Sequence, residues 1–312
     1  MNSGGMAHPG VYAAIDIGTN TVKLTIAAHR EDGSWQVLRE DARTTRLGQG
    51  YAQGYLQEAA IRRTLNVLQE YIEQCREANV RQIAAVATAA VRQARNRDEF
   101  LQRAAEIGLA VTVLSGEEEA RLSLLAVRND PLWRALDAIR VLDIGGGSTE
   151  IVLSAHEGLR QASLAIGAVQ LTEDILRSDP PTQSQLVDAE KWVRQAFARA
   201  QLENAPAVMI AVGGTAANMA AVKQGRRLEC AEQIHGTELT YQEVEQQYRI
   251  YASQPTAARR QIPGLEPERA DVILAGALIV LVAMEWFGTT SIHVSGRALR
   301  WGLLYHHFGD AG

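Results

Sequence analysis

The chain has 312 residues, 46% of them hydrophobic and 21% charged, with a net charge of −5; a length prior of roughly 150 residues per domain predicts about two domains with ample core. An acidic balance without a basic stripe argues against a nonspecific nucleic-acid binder. The longest apolar run, 13 residues between Asp271 and Glu285 interrupted by Gly276, falls short of the roughly 20 that a membrane span needs and reads as a buried helix.

Residues 1–10 are small and polar, lack the basic start and apolar run of a leader, and are expected to form a flexible tail. Residues 13–26 (AAIDIGTNTVKLTI) predict a β-hairpin. Apolar spacing through Ile61, Leu65, Leu68 and Ile72 predicts a helix over 57–78. A short buried strand is expected at 82–88, a helix at 97–107, a strand at 109–114 and a helix at 117–128. Ser115 caps that last helix, with Glu118 three residues on to close a capping box. A second hairpin follows at 140–153 and a strand at 162–166. Helices are predicted at 168–177 and 183–203, a strand at 207–212 running into Gly213-Gly214-Thr215 and a helix, and another helix at 240–253. The apolar helix at 269–287, a strand at 290–294 and a helix at 297–308 complete the order. Strands alternating with helices imply an α/β sheet architecture. Cys75 and Cys230 have no metal spacing; a single disulfide is open on count, and two reduced thiols of a cytoplasmic protein are the simpler reading.

The two hairpins are copies. Residues 140–153 read RVLDIGGGSTEIVL, and an offset of 127 residues superposes Asp16 on Asp143, Gly18 on Gly145 and Thr21 on Ser148. Each is a β-run, an Asp-x-Gly turn carrying a hydroxyl, and a second β-run. Two such copies predict two lobes of similar fold, and the lack of a linker favours lobes sharing one deep cleft.

Glycine at a hairpin tip lets backbone approach a ligand closely, and exposed N–H groups can form an anion cradle. Thr19, Thr21 and Ser148 can donate hydroxyls to phosphate. Asp16 and Asp143 would repel phosphate unless a divalent cation bridges them, and Mg²⁺ takes one or two carboxylates with phosphates and waters. Glu150, two residues past Ser148, shares its face of the hairpin and can join that shell. Either loop alone is explained as a simple turn; both together, with hydroxyls in register, are not. Gly213-Gly214-Thr215, at a strand–helix junction, is a third and weaker anion-binding candidate.

Together with these loops, segments ATAAVRQARN (87–96), LSGEEEARLSLLAV (114–127), AVGGTAAN (211–218), HGTELTYQEV (235–244) and ERADVILAGALI (268–279) resemble the Ppx/GppA phosphatase family, in a short form without extra C-terminal helical domains. The resemblance runs from about 12 to 308. It implies an α/β fold of two actin-like (ribonuclease H-like) lobes around a central cleft: lobe I over 11–124, with the helix at 298–312 packing back on it, and lobe II over 125–297. By the same resemblance Glu119, the glutamate before Ala-Arg, is the catalytic base, and Arg92 holds the substrate phosphoryl group. Residues alone leave Glu117, Glu118 and Glu119 open, since first-turn glutamates also serve caps and the helix dipole. Asp16, Gly18, Thr19, Asn20 and Thr21 match the first phosphate loop. Asp143, Gly145, Gly146, Gly147, Ser148 and Glu150 match the second, with Asp143 and Glu150 as the chief metal carboxylates and Asp16 a further one.

The implied activity is release of orthophosphate from polyphosphate, or conversion of pppGpp to ppGpp, with Mg²⁺ or another divalent cation such as Mn²⁺, and without nucleic acid or membrane. Family analogy implies a homodimer, although no sequence feature demands one. An ATP-using kinase of the same superfold and a polyphosphate or alarmone sensor are the competing readings. His235, Arg269 and Asp271 read as structural, and Arg95 and Arg97 as surface arginines.

Overall fold

The computed structural model describes residues 9–51, 54–156, 158–200, 202 and 205–309. Of the tail expected at 1–10, residues 1–8 lie outside the described residues, as do residues 310–312 of the expected last helix. Gly10 is not tail: it opens the first strand, opposite His29.

The chain divides into two compact units, one of residues 1–126 with 299–312, the other of residues 127–298. The first begins with strands β1 (Gly10–Ile17), β2 (Thr21–His29) and β3 (Trp35–Thr44), continues through helix α1 (Glu58–Glu77), strand β4 (Gln82–Ala87), helices α2 (Ala89–Gln93) and α3 (Arg97–Glu106) and the two-residue strand β5 (Thr112–Val113), and leaves through α4 (Gly116–Arg128). The second contains β6 (Ile139–Ile144), β7 (Thr149–Ala155), β8 (Gly158–Leu164), α5 (Ala168–Asp174), α6 (Gln183–Arg199), β9 (Val208–Val212), α7 (Gly213–Gln224), β10 (Glu238–Thr240), α8 (Tyr241–Ser253), α9 (Thr256–Arg259), α10 (Ile273–Trp286) and β11 (Ser291–Val294). Helix α11 (Leu299–Phe308) belongs to the first unit.

The two sheets repeat one plan. Strand order is β3-β2-β1-β4-β5 in the first and β10-β11-β9-β6-β7-β8 in the second. In each, three consecutive antiparallel strands are followed by parallel neighbours: β4 beside β1, and β9 beside β6. The repeated hairpins of the sequence are β1–β2 and β6–β7.

In the first unit, helices cover both faces of the sheet, so β1 carries a near-continuous buried run, as strands covered on both sides do. Ala13, Ile15 and Ile17 face a core shared with Leu65, Leu68 and Ile72 of α1, while Tyr12 and Ala14 face one built from Leu122 and Ala126 of α4 and Leu299, Trp301, Leu303 and Leu304 of α11. Edge strand β3 carries Arg39, Glu40, Asp41 and Arg43 and is partly exposed; its charges blunt a sheet edge and hide the alternation that would reveal a strand. The strand expected over 109–114 is reduced to Thr112–Val113.

The second unit is centred on α10, whose residues Ile273–Met284 are all buried. They pack with the inner residues of β6, β9, α5, α6 and α8 in one core. Among the described residues no helix is long and apolar enough to cross a membrane. Cys75 is buried and Cys230 exposed, both as free thiols.

The close approach of α11 to α4 tests this packing. A Cβ on Gly302 would stand 2.0 Å from the Leu122 carbonyl oxygen. Gly302→Ala is expected to lower stability by about 1–3 kcal/mol through overpacking, read by urea unfolding. An unchanged midpoint would show that α11 is not held where the structure puts it.

Candidate active site

Parallel pairing sets where the loops emerge. In the first unit Ile17 lies beside Ala87 and Ala87 beside Val113, so the segments beginning at Gly18, Thr88 and Leu114 all leave the carboxyl edge of the sheet. Cross-links hold them there: Thr88 N–H donates to the Ile17 carbonyl (3.2 Å) and Leu114 N–H to the Ala87 carbonyl (3.0 Å). In the second unit Asp143 lies beside Val212, and Ala211 beside Val294. The segments beginning at Gly145, Gly213 and Ser295 likewise share one edge. In open α/β sheets this edge is where ligands bind.

Within the first unit the structure brings Arg92 and Glu119 together. Glu119 lies one turn into α4 and is 7% exposed. The Arg92 guanidinium, half-buried on α2, forms an ion pair with Glu119 Oε1 through Nη1, which also donates to the Leu114 carbonyl (2.8 Å). The neighbouring glutamates are elsewhere. Glu117 is exposed. Glu118 is exposed and closes the capping box, accepting from Ser115 N–H (2.7 Å) while its own N–H donates to Ser115 Oγ (3.2 Å). The bond from the Ser115 backbone is the largest influence holding the Glu118 carboxyl below its ordinary range. Helical periodicity thus turns one of three consecutive glutamates inward. Arg95 is exposed over the Tyr55 ring and Arg97 pairs with Asp98, so neither joins this pair.

The two hairpin tips share one geometry. Gly18 N–H donates to the Thr21 carbonyl (3.1 Å) and Gly145 N–H to the Ser148 carbonyl (2.9 Å). A Cβ on either glycine would stand 2.9 or 3.0 Å from that same oxygen, tighter than side chains accept. Each tip is then braced from behind by a different segment. Gly48 N–H donates to the Thr19 carbonyl, and the N–H groups of Thr45 and Arg46 to that of Asn20; Arg46 does so at a φ of 52°, a left-handed conformation costly for a long side chain. Asn20 is buried, and among the described residues its Nδ2 has no hydrogen-bond partner. On the second tip, Ala168 N–H donates to the Gly145 carbonyl and Val169 and Gln170 to that of Gly146. Gly167 allows this, since a Cβ there would meet the Gly146 carbonyl at 2.3 Å. Neither bracing segment was evident from sequence; an isolated glycine at the mouth of a helix was the available signal for Gly167.

The hairpins differ one strand across. Asp143 faces Glu150 in register, whereas Asp16 faces Lys23. Like charges directly opposite one another destabilise a sheet. Glu150 is buried and accepts from Ser163 Oγ (2.8 Å). A carboxylate pair of this kind suits a small divalent cation, which takes one or two carboxylates and fills its remaining positions with phosphates and water. Among the described residues no group of three or more His, Cys, Asp or Glu is placed to hold a metal. Asp16 differs in kind: Lys23 Nζ stands 3.9 Å from its Oδ2, so a cation is already built in.

The third loop is enclosed residue by residue. Gly213 has a φ of 89°, and a Cβ there would meet Asp143 Oδ1 at 2.9 Å. A Cβ on Gly214 would fall 2.2 Å from Arg269 Cζ, so the guanidinium lies on that glycine. Thr215 packs against Gly276 of α10, whose Cβ would meet Thr215 Oγ1 at 2.4 Å. The Thr215 hydroxyl is therefore committed to helix packing, while Gly213 borders Asp143. Sequence reading took Arg269 as structural. It does pair with Glu266 (Nε–Oε2, 3.1 Å), but its seat on Gly214 puts it at the loop. His235 stays structural: Nδ1 accepts from Gly296 N–H and Nε2 faces the buried Asp130 carboxylate at 3.3 Å.

Burial raises the Asp16 carboxyl above its ordinary value, and Lys23 and Arg300 only partly offset this. A folded pKa above the unfolded one means that ionised Asp16 opposes folding above that pKa, an effect lost as pH falls through it. Asp16→Asn is expected to raise the melting temperature at about pH 7, with the advantage shrinking toward about pH 4. A lower melting temperature at neutral pH would mean that the Lys23 pair outweighs burial.

Comparison with known proteins identifies relatives of the whole chain. The sequence pattern of the Ppx/GppA phosphatase family matches residues 25–310. Exopolyphosphatase 2 of Mycobacterium tuberculosis is 34% identical over 282 residues, covering 86% of this chain and 88% of that protein. The crystal structure of an Aquifex aeolicus Ppx/GppA family member superposes with a TM-score of 0.80 at 34% identity, over 96% of this chain and 97% of that one. An exopolyphosphatase structure from Cytophaga hutchinsonii, 23% identical, shares the fold with a TM-score of 0.84, over 96% and 97% of the two chains.

Proposed function

The chain belongs to the Ppx/GppA phosphatase family, and we propose that it is an exopolyphosphatase that releases terminal orthophosphate from inorganic polyphosphate and also converts pppGpp to ppGpp. One observation carries the mechanism: of three consecutive glutamates, the one turned inward, Glu119, is paired with Arg92 beside the first phosphate loop's edge of the sheet.

Phosphoryl transfer leaves a protein mainly positioning and charge neutralisation to perform. Glu119 accepts a proton from water as the water oxygen attacks the terminal phosphorus; the bridging P–O bond breaks, and its electron pair leaves on the shortened chain. Arg92 orients the carboxylate through Nη1. The Nη2–Nε edge of its fork suits two oxygens of the phosphoryl group. In the first unit the Gly18–Thr21 tip supplies backbone and hydroxyl donors to phosphate; in the second the Gly145–Ser148 tip is a like cradle of its own. Asp143 and Glu150 would hold Mg²⁺ or Mn²⁺, which supplies neutralisation of charge on phosphate oxygens. Asp16, already opposite Lys23, shapes its tip and carries no metal.

The test is orthophosphate release from polyphosphates of several lengths, pppGpp and ATP, with Mg²⁺ or EDTA. Glu119→Gln is expected to lower kcat by roughly 10²–10⁴-fold, the usual worth of a general base. Glu118→Gln should leave kcat within about twofold and change only the helix cap. Equal losses in both variants would remove Glu119 from its role. Tight binding of these anions by wild-type protein with no release in Mg²⁺ would replace hydrolysis with a sensor function.

A further inference from the structure

We propose that Glu266 and Asn218 are positioning residues, a clamp that holds the Arg269 guanidinium on Gly214 and so aims it at phosphate bound beside Asp143. The inference rests on the phosphate chemistry proposed above.

The clamp is a closed ring of bonds. Asn218, 1% exposed on α7, donates through Nδ2 to the Gly214 carbonyl (3.0 Å) and to Glu266 Oε2 (3.2 Å). Its Oδ1 accepts from the Glu266 backbone N–H (2.8 Å). Glu266 Oε2 in turn accepts from Arg269 Nε (3.1 Å). The same carboxylate oxygen therefore ties the helix that begins at the third loop to the arginine lying on that loop. Gly214 completes the seat, because any side chain there would displace the guanidinium. With Nε bonded to Glu266, the plane of the Arg269 guanidinium is fixed over Gly214. A guanidinium recognises phosphate through a planar fork, so its orientation matters as much as its charge. One residue away, a Cβ on Gly213 would stand 2.9 Å from Asp143 Oδ1, so the loop that seats the arginine also borders the proposed metal carboxylate.

The experiment measures KM and kcat for tripolyphosphate hydrolysis, and calorimetric Kd for inorganic tripolyphosphate, in Glu266→Ala, Glu266→Gln, Arg269→Ala and the double variant Glu266→Ala/Arg269→Ala. Glu266→Ala is expected to raise KM and Kd about tenfold with little change in kcat, the pattern of lost uniform binding. Glu266→Gln, which keeps an acceptor for Nε and Nδ2, should restore most of that loss. The double variant should bind no worse than Arg269→Ala, because coupled residues are not additive. Wild-type Kd in Glu266→Ala, or additive losses in the double variant, would overturn the clamp. Since Kd is read without turnover, a wild-type chain that releases no phosphate would count against the proposed hydrolysis and leave the clamp to be judged on binding.

Discussion

Parallel strand pairing is the constraint on which the candidate site depends. Strands that run the same way end at the same edge, so whatever follows each strand is delivered to one place. Ile17, Ala87 and Val113 are neighbours across the first sheet, and Asp143 and Val212 across the second. A phosphate loop, the arginine helix and the glutamate helix are neighbours because three strands stop together. No individual hydrogen bond does as much. Replacing one loop residue alters a contact, whereas a one-residue slip of β4 against β1 would turn its side chains to the other face.

The same topology built twice has been put to two electrostatic uses. Both tips close with a glycine N–H on a hydroxyl residue's carbonyl, and both carry an aspartate two residues before that glycine. Opposite that aspartate stands Lys23 in one copy and Glu150 in the other. A lysine supplied by the chain faces the first carboxylate and offsets part of its burial. The second sets carboxylate against carboxylate. Twofold likeness of backbone therefore coexists with opposite charge pairing across the two hairpins.

How much of this could be read from sequence follows from how local each feature is. The hairpins, the capping box at Ser115 and the buried run of α10 rest on neighbours in the chain, and their patterns are plain there. Choosing Glu119 over Glu117 and Glu118 needed family resemblance, because all three suit the first turn of a helix; burial and the partners each finds separate them in the fold. Strand β3 escaped notice because an edge strand studded with charge has no apolar alternation. The offset of 127 already aligned Lys23 with Glu150, but the meaning of that mismatch depends on cross-strand register. Gly167 on Gly146, Arg269 on Gly214 and Gly276 on Thr215 are contacts between segments far apart in sequence, and a lone glycine does not announce what will lie against it.

The return of α11 to the first unit bears on how the protein is made. Arg300 on that helix donates to the Leu24 carbonyl at 2.5 Å, across 276 residues of chain. The face of β1 and β2 formed by Tyr12, Ala14 and Ala27 is completed by Leu299, Trp301, Leu303 and Leu304. A ribosome working at roughly 5–20 residues per second therefore finishes the contiguous second unit before the first can close its core. For that interval the nascent chain carries an uncovered apolar sheet face, the kind of surface that chaperones hold. Proteolysis that removed only the last helix would recreate that immature state in the finished molecule.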